Sequence, residues 1–330
     1  MTPFELTMKL MAIPSVSGSE REVGDYLFAH LNEVGYRVER QVVEQGRFNV
    51  LAFGGAEAKV MLCTHIDTVP PVLPIREDAD YLYGRGACDT KGIIAAMLSA
   101  GERLRQSGVE KFGYLFVVGE EVNGAGAKVA NTAKWNSDFV IVGEPTGNLM
   151  ATAQKGTFNA NISFEGRACH SGYPDQGISA IEGLWQILAE CRDSGWGNDS
   201  VLGRGSFNIG VFQGGERANI VPGKATASIM IRTIEPGDRT ESKMRKLIGN
   251  RASLEVVSSN DPHVMHVVEG FRTTVVSFGS DVPYLRNLGK PILVGPGSIL
   301  DAHTPDEKIS KRELLEGSEL YERLVRILLN

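Results

Sequence analysis

Three apolar runs in the first half of the chain each end in an acid or an imidazole, and that repetition limits the fold more than any other feature. Lys59 to Thr64 leads into His65-Ile66-Asp67, Phe112 to Val118 into Gly119-Glu120-Glu121, and Phe139 to Val142 into Gly143-Glu144-Pro145. Short apolar runs without polar alternation mark strands buried on both faces, the condition of a parallel sheet covered by helices. In such open sheets functional groups collect beyond the carboxyl ends of the strands. The expected fold class is therefore α/β, a mixed sheet flanked by helices, with its chemistry along one edge.

A fourth contribution to that edge is Gly84-Arg85-Gly86-Ala87-Cys88-Asp89-Thr90-Lys91-Gly92, where a lone acid lies between glycines. Glycine permits backbone angles and close approaches closed to other residues, so such a turn can hold the Asp89 carboxylate out to bridge two cations. Helical spacing of apolar residues covers Phe4 to Met11, Ser19 to Val34 and about Lys91 to Ser107, with Ser17 or Ser19 expected to cap the second helix. Arg37 to Glu44 and Phe48 to Phe53 read as further strands.

The pattern changes after about Leu149. Strands are expected over Thr157 to Glu165, Ser206 to Phe212, Ala225 to Arg232 and Ser253 to Val257, with helices over Gly177 to Cys191 and Arg239 to Ile248. That β-α-β-β-α-β order is the order of a small two-layer α+β domain with an antiparallel sheet. From His266 the buried apolar character returns in Thr273 to Phe278, Pro291 to Gly295 and an amphipathic helix Lys311 to Leu328. The expected organisation is a catalytic domain in two pieces, 1–150 and 263–330, interrupted by an inserted lid, 151–262.

Charge and composition exclude several classes of partner. A formal charge of −6 with no Lys/Arg run argues against a nucleic-acid footprint. No apolar segment approaches the roughly 20 residues needed to span a bilayer, and the first residues lack a signal-type apolar core. The four cysteines, Cys63, Cys88, Cys169 and Cys191, have no paired short spacing, which points to reduced thiols and a cytoplasmic protein.

His65, Asp89, Glu121, Glu144 and His303 make a nitrogen and oxygen ligand set without thiolate, which suits a hydrolytic two-metal site better than a structural zinc. One bridging carboxylate and two further ligands per metal account for all five. Glu120, beside a ligand but pointing the other way if the chain is extended there, can serve as general base. Asp67 can hydrogen-bond the His65 imidazole and fix its tautomer. Taken singly, each residue has a plainer reading: a satisfied histidine, a solvated acid pair at a strand end, a turn acid before Pro145, a loop cap at Asp89, a surface histidine between Pro296 and Pro305. Those readings are independent of one another, yet all the residues fall on one rim.

On these motifs, together with Ala302-His303-Thr304-Pro305, the sequence resembles the co-catalytic zinc aminoacylase and carboxypeptidase family over nearly its whole length. The resemblance implies a zinc-exopeptidase-like catalytic domain with a ferredoxin-like lid that also dimerises, and two Zn2+ ions, with Co2+ as a substitute. One metal would take His65 and Glu144, the other Glu121 and His303, with Asp89 bridging, Glu120 as base and Asp67 as orienting acid. It also implies a cis peptide at Asp89-Thr90. Val294-Gly295-Pro296-Gly297-Ser298-Ile299 and the Asp306-Glu307 that follow His303 are similar to the acetylornithine deacetylase branch. By that likeness His170 would donate to a developing oxyanion, often across a homodimer. Asn219, Arg232 and Gly297 would contact the substrate, Arg232 by pairing with an α-carboxylate.

The implied reaction is removal of the acyl group from a small N-acyl amino acid, with N-acetylornithine in arginine biosynthesis as the first substrate. The alternatives within the chemistry are acetyl-lysine, succinyl-diaminopimelate or a dipeptide or aminoacyl peptide. A metal-free module that binds acyl amino acids is the alternative outside it, and it predicts a missing ligand, whereas all five are present.

Overall fold

A computed structural model of the chain describes residues 1–133 and 135–330, which group into two compact units. The first comprises Met1–Thr152, Met265–Thr274 and Ser280–Asn330, the second Ala153–Val264 and Val275–Gly279. The short return Val275–Gly279 therefore groups with the insert, where the sequence pattern assigns it to the catalytic piece.

The first unit is built on a mixed sheet. Strands Phe112–Val117, Val60–His65 and Phe139–Val142 lie side by side and parallel, and Lys290–Leu293 continues the parallel run beyond Phe139–Val142. Arg47–Phe53 and Arg37–Glu44 add antiparallel strands on the other side. Every residue of Val60–His65 and Phe112–Val117 is buried. That explains their unbroken apolar sequence: a strand covered on both faces has no solvent side to make polar.

Helix Gly92–Gln106 contributes Ile93, Ile94, Met97 and Leu104 to the core and packs against helices Pro3–Met11 and Lys311–Leu329. Local chemistry starts these helices where the chain allows it. Thr2 and Glu5 form a reciprocal cap ahead of Pro3–Met11, and Ser310 accepts the Glu313 amide ahead of Lys311–Leu329. Helix Arg21–Glu33 departs from expectation. Its first flanking residue is Glu20, without a side-chain cap, and neither Ser17 nor Ser19 serves there. Glu20, itself buried, instead pairs with the partly buried Arg47, and the Ser17 hydroxyl is used elsewhere.

The second unit is a four-stranded antiparallel sheet in the order Ser206–Gly214, Lys224–Thr233, Gly156–Glu165, Ser253–Asn260. Burial alternates residue by residue along Gly156–Glu165 and Lys224–Thr233, the signature of a sheet with one covered face. Phe158, Ala160 and Ile162 meet Ile231, Ile229 and Ala227 in register, and helices Ala180–Asp193 and Gly237–Ile248 pack on that face through Leu184, Leu188, Met244 and Ile248. This β-α-β-β-α-β arrangement completes the α/β plus small antiparallel fold expected from the sequence.

Candidate active site

Because the three parallel strands are neighbours, their carboxyl ends place His65, the Glu120–Glu121 turn and Glu144 next to one another. The glycine-flanked turn brings in Asp89. Gly86 has φ +85, and an added Cβ there would stand 2.9 Å from the Lys91 side chain, so only glycine fits. Ala87–Lys91 then makes one wide turn in which Asp89 (φ −126°, ψ 82°) and Thr90 leave helical geometry, and the Asp89–Thr90 peptide is cis. The turn is pinned by Glu307, whose Oε1 accepts the Cys88 and Asp89 amides at 3.3 Å each while Oε2 accepts from Arg85 at 2.6 Å.

The two oxygens of Asp89 face two different histidines. Oδ1 lies 3.0 Å from His65 Nε2 and Oδ2 lies 3.2 Å from His303 Nε2, which is itself 3.1 Å from Glu121 Oε1. A tetrahedral zinc with bonds of about 2.0 Å sets its ligand atoms roughly 3.3 Å apart. The observed separations, which the protein fills with hydrogen bonds, are of the size a ligand shell needs, and His65, Asp89 and Glu121 offer donor atoms that all lie within 4.8 Å of one another.

Electrostatics point the same way. Burial raises the Glu144 and Glu120 carboxyls well above their ordinary range, and at Glu144 repulsion from Glu120 adds to it. Burial would lower the His65 imidazole, yet hydrogen bonding to Asp67 and Asp89 carries it well above its usual value. His303 is pushed up to about 10 by its hydrogen bonds to Asp89 and Glu121. Burial likewise keeps the neighbouring Cys63 and Cys88 as neutral thiols. An excess of buried carboxylate, imidazoles that hold protons in its place and no thiolate form a site that fits divalent cations.

Asp281 strengthens that fit, and no motif in the sequence announces it. It is 2% exposed, its Oδ1 has no hydrogen-bond partner among the described residues, and burial together with the Asp67 charge pushes it up to about 7. Its only sequence signal is an acid after Gly279-Ser280, just beyond an apolar run.

Two expectations change in detail. Glu120 and Glu121 lie in a turn, not on extended chain, so alternation along a strand does not separate their side chains. The main-chain carbonyl of Asp67 holds His65 Nδ1 at 2.9 Å, while the Asp67 carboxylate stands 3.5 Å away from it. That carboxylate, 0% exposed, accepts the Glu120 amide on Oδ1 at 3.1 Å and, on Oδ2, the Glu121 amide at 3.2 Å and the Ser17 hydroxyl at 2.7 Å.

Gly297, expected at the substrate, closes packing beside Asp89: its φ is +90, and an added Cβ would lie 2.7 Å from Cys88 Cβ. Its carbonyl accepts the Gly147 amide at 2.7 Å, tying the loop after Glu144 to the loop before His303. In the second unit, Cys169–His170 pairs with Ile220–Val221, and the Ser171 amide donates to the Asn219 carbonyl at 3.0 Å. His170 and Asn219 therefore lie together at one short antiparallel ladder, both exposed. Arg232 lies near the far end of strand Lys224–Thr233, roughly 27 Å along it from Lys224.

The family model for peptidase family M20/M25/M40 matches residues 61–327. The chain belongs to this family. A peptidase M20 domain-containing protein of Schizosaccharomyces pombe is 37% identical over 97% of this chain and 83% of its own length. A protein of Aspergillus clavatus named probable carboxypeptidase is 35% identical over 96% of this chain and 86% of its own. In fold, the M20 chain superposes on a crystal structure of a tripeptidase from Staphylococcus aureus with a TM-score of 0.81, at 20% identity and covering 98% of each. Membership makes the chain a hydrolase of the metallopeptidase type. Among the described residues no helix is long and apolar enough to cross a membrane.

Proposed function

We propose that this M20 chain is a zinc-dependent peptidase of the carboxypeptidase or dipeptidase type, cleaving the amide bond next to the C-terminal residue of a short peptide. The observation that carries the reading is the Asp89 carboxylate set between His65 and His303, with Glu121 closing on His303. Support for peptides over N-acetylornithine comes from relatives sharing about a third of the sequence and bearing the name probable carboxypeptidase.

His65 and Glu144 would hold one cation, Glu121 and His303 the other, and Asp89 both. When bound, such a pair polarises a carbonyl and lowers the pKa of water toward neutrality. Glu120 takes a proton from the attacking water and returns it to the leaving amine; its burial among acids keeps it a strong enough base for that transfer. Asp67, gripping the Glu120 and Glu121 amides, keeps base and ligand in fixed relation. N-acetylornithine stands as the second substrate, since its amide poses the same chemical problem and the loop Val294 to Ile299 carries the deacetylase-like sequence.

The test is hydrolysis of a panel of dipeptides, tripeptides and N-acyl amino acids by zinc-loaded protein, with metal content measured in parallel. Turnover of peptides with a free C-terminus, abolished by a chelator, is expected. Glu120→Gln should retain metal and lose on the order of 100-fold or more in kcat. Turnover confined to N-acetylornithine would replace the peptidase reading with the deacetylase one.

A further inference from the structure

The segment from Ile13 to Ser17 reaches both turns that carry the acids. Lys91 Nζ donates to the Ile13 carbonyl at 2.6 Å. The Thr68 amide donates to the Ser15 carbonyl at 2.9 Å and the Ser17 amide to the Thr68 carbonyl at 3.2 Å, with Val16 and Thr68 bridged in parallel. These main-chain bonds aim the Ser17 hydroxyl at Asp67 Oδ2, to which it donates at 2.7 Å, the shortest of the donors to that carboxylate. Serine at this position is not spent on the following helix, whose cap it does not form.

A carboxylate with no solvent exposure has no water to replace a lost donor. Without the Ser17 hydroxyl, Asp67 Oδ2 keeps one amide and the carboxylate can turn. The Glu120 and Glu121 amides would then lose their acceptor together. We infer that Ser17 is a positioning residue of the hydrolytic centre: its hydroxyl locks the Asp67 carboxylate, which fixes the main chain of the proposed base Glu120 and the proposed ligand Glu121. The purpose of this lock rests on the metallopeptidase reading; the hydrogen-bond chain is a property of the first unit by itself.

The same segment supplies the control. The Ser15 hydroxyl is buried without a hydrogen-bond partner among the described residues, so Ser15→Ala removes an equivalent atom and touches nothing in the chain of bonds. Ser17 is only partly buried, and Ser17→Thr keeps the hydroxyl. Two measurements separate positioning from plain stability: hydrogen–deuterium exchange of the peptide spanning residues 118–124 in chelator-treated protein, and zinc affinity by competition with a chromophoric chelator. Ser17→Ala should speed exchange at Glu120 and Glu121 about tenfold and weaken zinc binding about 10–100-fold, the usual cost of losing an outer partner of a metal site. Ser15→Ala should match wild type, and Ser17→Thr should recover both values. Wild-type exchange and wild-type zinc affinity in Ser17→Ala would overturn the inference, including the case in which only its melting temperature falls. A protein that binds no zinc would remove the peptidase reading, while the exchange of the two amides would still decide the role of Ser17.

Discussion

The Asp67 carboxylate meets Glu120 at its main chain, accepting the amide at 3.1 Å on one oxygen while the other oxygen takes the Glu121 amide at 3.2 Å. Both oxygens therefore face donors. Asp67→Asn cannot imitate this, because whichever oxygen becomes an NH2 group then points at a main-chain N–H, of Glu120 or of Glu121. The variant should fold and lose about 10–100-fold in zinc affinity or in kcat/KM. Chelator competition and steady-state rates check this, and wild-type values in Asp67→Asn would show that the two amides hold their place unaided.

Zinc binding should release protons. In the metal-free protein the hydrogen bonds to Asp89 and Glu121 push His303 up to about 10, and His65 is raised well above its usual value against the effect of its burial. Both imidazoles thus carry protons at neutral pH, and a ligand nitrogen must give its proton up. The sign follows: affinity falls as the pH drops, by about one decade per pH unit for each imidazole that has to lose a proton. Calorimetry in two buffers of different ionisation enthalpy should count at least two protons released per loaded site, from the two imidazoles, with a further one from Glu144, whose buried carboxyl is raised well above its ordinary range. A pH-independent affinity between about pH 6 and about pH 8 would contradict the protonated pair.

The parts legible in the sequence are those set by local periodicity and by strand ends. Val60–His65 and Phe112–Val117 announce burial on both faces by having no polar side, and a parallel neighbourhood then forces His65, the Glu120–Glu121 turn and Glu144 onto one edge. The role of the Asp67 carboxylate is not legible, because it depends on a turn after Val117 that alternation cannot foresee. Ser17 misleads for a related reason: a serine just before a helix has the composition of a cap, and only the tertiary bridge between Val16 and Thr68 redirects its hydroxyl. Asp281 lies far from the other acids in sequence and follows no motif, so its arrival beside them is a product of the fold alone.

Gly297 offers a clean separation of packing from substrate contact. Alanine there would adopt a φ of +90 with its Cβ 2.7 Å from Cys88 Cβ, which the Asp89 turn cannot yield to without moving. Strain and overlap together should cost about 2–4 kcal/mol. Denaturant unfolding should show this loss in Gly297→Ala, accompanied by weaker zinc binding. If stability were unchanged and only KM rose, Gly297 would belong to the substrate surface instead.

Lys91 gives stability its own pH dependence. The ammonium is 2% exposed, and burial pushes it down from 10.5 to about 8, with the Glu307 charge opposing the shift. A folded-state value below the unfolded one means that the unfolded chain binds more protons between about pH 8 and about pH 10.5, so stability rises with pH across that window. Below it the cost of keeping a buried ammonium is felt in full, on the order of 3 kcal/mol, offset in part by the bond from Nζ to the Ile13 carbonyl. Lys91→Met has no such proton to lose, so the stability difference between wild type and Lys91→Met isolates this gain from the opposing loss at His65 and His303, which both proteins share. In urea titrations of chelator-treated protein, the wild-type midpoint should climb relative to Lys91→Met from about pH 7 to about pH 10. Parallel pH profiles for the two proteins would mean that Lys91 is solvated in the native state and that the Ile13 carbonyl does not depend on it.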